Sequence, residues 1–156
     1  VGDRDLVQKV LGREGLEVDF WKIAMKPGKP LMFGRLNGTP MLGLPGNPVS
    51  ALVCFMLYAK PALEKLLGIA ADAGISPERA RLGAALGANN FREDFIRAQL
   101  SRNEAGEWVA TPFRVQDSSM MATFAAADCL IRRAPDAPAA KPGEWSPIVM
   151  LAGLGI

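Results

Sequence analysis

The run Leu42-Gly43-Leu44-Pro45-Gly46-Asn47-Pro48-Val49-Ser50-Ala51-Leu52-Val53-Cys54-Phe55 constrains the fold more tightly than any other. Two apolar stretches meet at two prolines, a glycine and an asparagine. A proline donates no hydrogen bond and fixes its φ, so neither a helix nor a central strand can run through this point. The reading that fits is a strand over 41–44, a turn at Pro45-Gly46, and a helix that starts at Asn47. Asparagine is a preferred N-cap, and Pro48 suits the first helical position, where its missing N–H would be unpaired anyway. Val49, Leu52, Val53, Met56 and Leu57 then form an apolar stripe at helical spacing. Leu63, Leu66 and Leu67 continue it to Gly68, with Pro61 expected to kink or interrupt the helix. A corner of this kind presents the positive end of a helix and favours phosphate or another oxyanion. The same residues also serve as plain turn geometry, and the corner alone leaves both readings open.

The residues before the corner read as alternating helix and strand. Leu6, Val7, Val10 and Leu11 repeat at helical spacing, with Asp3 or Asp5 as a cap and Gly15 as a stop. The stretch 16–25, LEVDFWKIAM, is rich in β-branched and aromatic residues and predicts a strand. KPGKP, 26–30, is a turn, and Asn37-Gly38 between two apolar runs predicts a hairpin over 31–44. Charge is distributed unevenly here. No acidic residue lies between Phe20 and Leu63, whereas Lys22, Lys26, Lys29, Arg35 and Lys60 are basic, in a chain of net charge +2. That asymmetry suggests a local positive field, and a solvated basic face accounts for it equally well. In an extended chain Lys22 and Lys26 stand about 13 Å apart, and bending at Pro27-Gly28 can bring such amines together.

Composition narrows the chemistry. The chain has 156 residues, 49% of them hydrophobic, room for one ordinary domain or two small ones. It contains no histidine, which excludes a Ser-His-Asp triad, a histidine base and an imidazole metal cage. Polar chemistry is left to Asp, Glu, Lys, backbone amides or a hard metal ion. Cys54 and Cys129 sit singly in apolar runs and are expected to be buried reduced thiols. No apolar stretch reaches membrane-spanning length and the first residues form no signal peptide, so the expected location is the cytoplasm.

Beyond a connector expected at 69–80, FIRAQLS and EWVATPF bracket the polar turn RNEAG as a hairpin. ATFAAADCLIRRA reads either as a helix or as a short helix leading into a strand. A Pro/Ala-rich loop then precedes a last strand, SPIVMLA. Short strands separated by turns suit a small β-barrel. Phe91, Arg92, Phe95 and Arg97 interleave aromatics with arginines, as nucleic-acid surfaces do. The reading preferred is core phenylalanines with outward arginines, and no nucleic-acid partner.

VGDRD, FWKIAMKPGKPLMFG and GLPGNPVSAL, in this order, together with QDSSMMATFAAADCLIRR, resemble the molybdopterin molybdenumtransferase family, which includes the C-terminal domain of gephyrin. The resemblance implies part of a molybdopterin-binding α/β domain with a mixed sheet over 1–68, a connector over 69–80, and a small all-β barrel-like domain over 81–156. It implies insertion of molybdate into adenylyl-molybdopterin with release of AMP, assisted by Mg2+. Carried onto this sequence, the family pattern makes Asp5, Lys22 and Lys26 catalytic, with Lys22 and Lys26 on oxyanion or phosphate groups. Pro45, Gly46, Asn47, Pro48 and Ser50 become a wall and helix-end cradle for the pterin, with Lys29 beside them. Asp3 and Asp5 become metal ligands. The implied partners are an anionic pterin substrate, a second copy in a homodimer of the full-length protein, and the adenylyltransferase of the same pathway, with no membrane. Ser118, Ser119 and Met120 approach the cleft if the family arrangement holds. Two other roles stay open: a non-catalytic scaffold of gephyrin type, and a pterin-binding relative of the adenylyltransferase. Val1-Gly2-Asp3 falls inside a Gly/Ser-rich motif of the family, so the chain is expected to be the C-terminal portion of the enzyme. The expected outcome is no molybdate- and magnesium-dependent AMP release by the purified 156-residue chain, read by nucleotide chromatography.

Overall fold

A computed structural model of the chain describes residues 7–69, 78–117 and 120–151. Helix α1, Val7–Arg13, leads through Gly15 (φ +95°) into strand β1, Leu16–Trp21. The strand expected over 16–25 stops at Trp21. Lys22 adopts φ 76°, a left-handed conformation incompatible with an extended strand, and its N–H donates to the Leu31 carbonyl at 3.0 Å. The chain turns away, and Met25–Lys26 forms β2, which joins a different sheet.

β3, Met32–Leu36, and β4, Thr39–Gly43, form the expected hairpin. Asn37 (φ 49°) and Gly38 (φ 81°) both take positive φ, the twist that matches two strands joined by a two-residue loop. With β1 they make an antiparallel sheet of order β1-β3-β4. Gly34 pairs with Val18 just before a slip in the β1 register, and the two backbones run close together there.

Helix α2, Pro48–Cys54, begins where the prolines predict, with Asn47 extended (φ −76°, ψ 127°) at its cap and its carbonyl accepting from the Ala51 N–H at 2.8 Å. The interruption expected at Pro61 takes the form of a π-helical segment, Phe55–Ala59, followed by α3, Lys60–Leu66. The Lys60 N–H donates to the Phe55 carbonyl, five residues back. The hydrogen-bond register slips where Pro61 has no N–H to contribute.

The remaining strands are β5 (Glu78–Leu82), β6 (Glu93–Arg102), β7 (Trp108–Pro112), β8 (Cys129–Arg133) and β9 (Trp145–Met150). Their order is β6-β7-β5-β9-β8, and β8 pairs back onto β6, which closes a barrel; β2 hangs on the outer edge of β6 in parallel. The fold is therefore an α/β part followed by a small barrel. β5 begins within the stretch expected to be connector, because three of its five residues, Glu78, Arg79 and Arg81, are charged and only Ala80 and Leu82 point inward. The ambiguous segment resolves into helix α4, Met121–Ala125, and then β8.

Two apolar clusters hold these parts. Ala80, Leu82, Ala98, Ala110, Ile131 and Ile148 fill the barrel, the alanines allowing its walls to close. The other cluster joins Met25, Leu31, Val49, Val53 and Met56 to Phe95, Phe124, Leu130 and Val149, so both sequence halves share one core. Each such side chain contributes roughly 1.5–3 kcal/mol on full burial. Cys54 and Cys129 are buried and free, and burial pushes both thiols up to about 12, which keeps them protonated. One expectation holds only in part: Phe95 is buried as expected, but Phe91 is 66% exposed, with the Arg92 guanidinium 5.8 Å from its ring, and Arg97 is only 2% exposed. Among the described residues no helix is long and apolar enough to cross a membrane.

A Cβ at Gly34 would lie 2.3 Å from the Glu17 carbonyl oxygen and 3.1 Å from the Val18 Cα, both backbone atoms of β1. Gly34→Ala is expected to destabilise the fold by about 1–3 kcal/mol, seen as a lowered urea midpoint with unchanged slope.

Candidate functional site

The KPGKP turn is pressed against the shared core. Gly28 takes φ +124°, and a Cβ there would stand 2.2 Å from Met25 Cε and 2.7 Å from Cys54 Sγ. Glycine is required both for the conformation and for the contact. The Cys54 thiol donates to the Gly28 carbonyl at 3.7 Å, and the Leu31 N–H donates to the same oxygen at 3.1 Å. The turn is thereby fixed with Lys26 at its entrance, joined to Pro27 by a cis peptide bond.

Lys26 lies opposite Asp94 in the β2–β6 ladder. Between the turn and the barrel is a cavity of about 170 Å³ lined by Lys26, Pro27, Asp94, Phe95, Arg97 and Gln116. Lys26 Nζ stands 3.8 Å from Asp94 Oδ2, with the lysine side chain 51% exposed and the aspartate 15%. Asp94 Oδ1 is buried and accepts no hydrogen bond from the described residues.

Arg97 is the buried cation of this cavity. Its backbone N–H and its Nε both donate to Gln116 Oε1, at 3.0 and 3.2 Å, and Nη1 donates to the Asp117 carbonyl at 2.9 Å. Gln116 Nε2 donates in return to the Arg97 and Phe113 carbonyls at 3.0 and 2.9 Å. Burial lowers the Arg97 pKa and the nearby Asp117 charge opposes that shift. An arginine starts so high that it keeps its charge. The cavity thus carries two cationic side chains, an amide and one carboxylate around space for a small polar group. That set suits an oxyanion better than an apolar ligand.

Of the residues singled out in the sequence, Lys26 lines this cavity. Lys22 stands at the end of β1 with Nζ 4.1 Å over the Trp21 ring, and Lys29 is exposed on the turn. At the α2 corner Pro45 and Ser50 are buried and Gly46 and Pro48 exposed, while Asn47 Oδ1 is buried without a hydrogen-bond partner among the described residues and caps no N–H of the helix. Asp3, Asp5, Ser118 and Ser119 lie outside the described residues. Among the described residues no group of acidic or cysteine side chains is arranged to hold a metal.

Sequence reasoning missed Arg97, Gln116 and Asp94. One signal for Arg97 was present. Residues i and i+2 of a strand share a face, so placing Phe95 inside places Arg97 inside as well.

The architecture is thus a hairpin and a helix joined through a shared core to a small barrel. Residues 1–65 match the family model described as a probable molybdopterin binding domain, and 79–151 match the MoeA C-terminal region, domain IV. The chain is 38% identical to the molybdopterin molybdenumtransferase of Haemophilus influenzae over 140 residues, covering 84% of this chain and 32% of that protein. It is 35% identical to the molybdenum cofactor synthesis protein cinnamon of Drosophila melanogaster over 159 residues, covering 97% of this chain and 26% of the relative. The structure of a molybdopterin biosynthesis MoeA protein from Pyrococcus horikosii superposes with a TM-score of 0.73 at 29% identity, covering 94% of this chain and 34% of that one. The chain belongs to the molybdopterin molybdenumtransferase family, and it spans about a third or less of these relatives' length.

Gln116→Leu would leave the Arg97 Nε and backbone N–H without their acceptor in a buried place. The expected cost is about 2–3 kcal/mol of stability, measured by urea unfolding, with greater protease sensitivity over 113–117.

Proposed function

We propose that this chain forms part of a molybdopterin molybdenumtransferase, which inserts molybdate into adenylyl-molybdopterin and releases AMP. The observation that carries the reading is the cavity where Lys26 of the first half faces Arg97 and Gln116 of the second. Every charged moiety of that reaction is an anion: molybdate, the pterin phosphate and the phosphoanhydride. A histidine-free chain can hold such groups with lysines, arginines, hydroxyls, amides, helix ends or a bound cation. In this reading Lys26 and Arg97 hold an oxyanion in the cavity and Lys22 takes a neighbouring phosphate. Pro45, Gly46, Asn47, Pro48 and Ser50, with Lys29 nearby, form the corner on the pterin side. Asp5 acts as a metal or positioning carboxylate, and Asp3 and Asp5 share a magnesium ion that would neutralise phosphate charge. The division into 1–68, the connector 69–80 and 81–156, a cytoplasmic location, a homodimer of the whole protein and contact with the adenylyltransferase belong to the same reading.

Complementation tests it. In cells lacking the transferase, the native gene product is expected to restore cofactor synthesis. Lys22→Ala and Lys26→Ala should each reduce it about 10- to 100-fold, the worth of a hydrogen bond to a charged group. Full cofactor synthesis by both variants would overturn the enzyme reading in favour of a scaffold.

A further inference from the structure

Asp94 is out of place in a cavity that otherwise presents positive charge. The first half of the chain has no carboxylate between Phe20 and Leu63, yet the ladder between β2 and β6 sets Asp94 directly against Lys26. One carboxylate oxygen faces the Lys26 ammonium at 3.8 Å, a long contact to a half-exposed side chain. The other, Oδ1, is buried with no hydrogen bond from the described residues. A carboxylate built only to anchor the ladder would have both oxygens satisfied, since an orphaned buried acceptor costs stability. Arg97 does not serve it, because its hydrogen bonds go to Gln116 and to the Asp117 and Met120 carbonyls.

We propose that Asp94 is a specificity-determining residue that sets the charge selectivity of the Lys26–Arg97 cavity. The inference rests on the reading of that cavity as an oxyanion site. With Asp94 present the three ionisable walls sum to one positive charge instead of two, and an arriving anion must draw Lys26 away from the carboxylate. Coulomb repulsion between Asp94 and the ligand grows with each negative charge the ligand carries. The site therefore holds a small dianion loosely enough to pass it on and disfavours more highly charged phosphates.

The test uses two tetrahedral oxyanions of the same shape and different charge, molybdate (two negative charges) and perrhenate (one), titrated calorimetrically into the whole gene product. Asp94→Asn should tighten molybdate binding about tenfold and perrhenate about threefold, because the penalty removed scales with ligand charge. Asp94→Glu, which keeps the charge, should stay near the original values. Asp94→Ala gives the same reading through a second side chain should the asparagine variant fold poorly. Equal gains for both anions, no gain, or weaker molybdate binding in the charge-removing variants would overturn the role of Asp94 and leave the cavity reading standing. Failure of both anions to bind the original protein and all three variants would overturn the cavity reading, and this inference with it.

Discussion

A two-residue parallel ladder, Met25 against Glu93 and Lys26 against Asp94, is the constraint on which the candidate site depends. Lys22 breaks the first strand with a positive φ, so Met25 and Lys26 are free to leave the hairpin sheet and pair with the barrel. Met25 is 2% exposed and packs in the core that Val49, Val53 and Met56 share with Phe95 and Leu130. A proline- and glycine-rich turn left as a loop would have to be ordered by its ligand, at about 1–2 kcal/mol per residue. Here the ladder below it and Cys54 and Met25 behind it order the turn before any ligand arrives.

The same strand supplies the opposite wall. Phe95 anchors β6 in the core and Arg97 follows on the same face, so the burial that fixes the phenylalanine also fixes the guanidinium. Burying a cation is costly unless its donors are satisfied. Gln116 answers that cost with an exchange of hydrogen bonds involving both the backbone and the side chain of Arg97, and the Asp117 and Met120 carbonyls complete it. Residues 113–117 are thus held by the cation they help to enclose. The fold and the electrostatics of the cavity depend on one hydrogen-bonded cluster.

Much of this architecture was legible in the sequence because it is encoded locally. Asn37-Gly38 specified a hairpin through the positive φ its turn requires, and Asn47-Pro48 specified a helix start through the missing proline N–H. Pro61 announced a disturbance, though its form as a π-helical segment depends on how the surrounding helix packs. What could not be read was encoded at long range. The strand break at Lys22 follows from the Leu31 carbonyl that its N–H reaches, and the Lys26–Asp94 juxtaposition spans 68 positions of sequence. β5 escaped notice because charged residues occupy three of its five places, the barrel needing only Ala80 and Leu82 from it. Arg97 was misread as outward because charge was weighed above the two-residue period of the strand.

In the proposed reading, Lys26 and Arg97 divide the work of holding an anion. Arg97 is a planar fork immobilised by its hydrogen bonds to Gln116 and to the Asp117 carbonyl, a fixed charge in the cavity wall that needs little further ordering. Lys26, half-exposed on a flexible stem, supplies a point charge that can move between a carboxylate and a ligand. A cavity with two fixed cations would bind anions firmly and indiscriminately, and one with two mobile cations would bind them without geometry. One fixed and one mobile cation, with a carboxylate beside the mobile one, gives a site whose shape is set by the barrel and whose occupancy is set by the turn. On the proposed reading that arrangement suits a reactant that has to enter, be held in register and be passed on, and the core shared by the two halves of the chain keeps the two walls of the cavity fixed against each other.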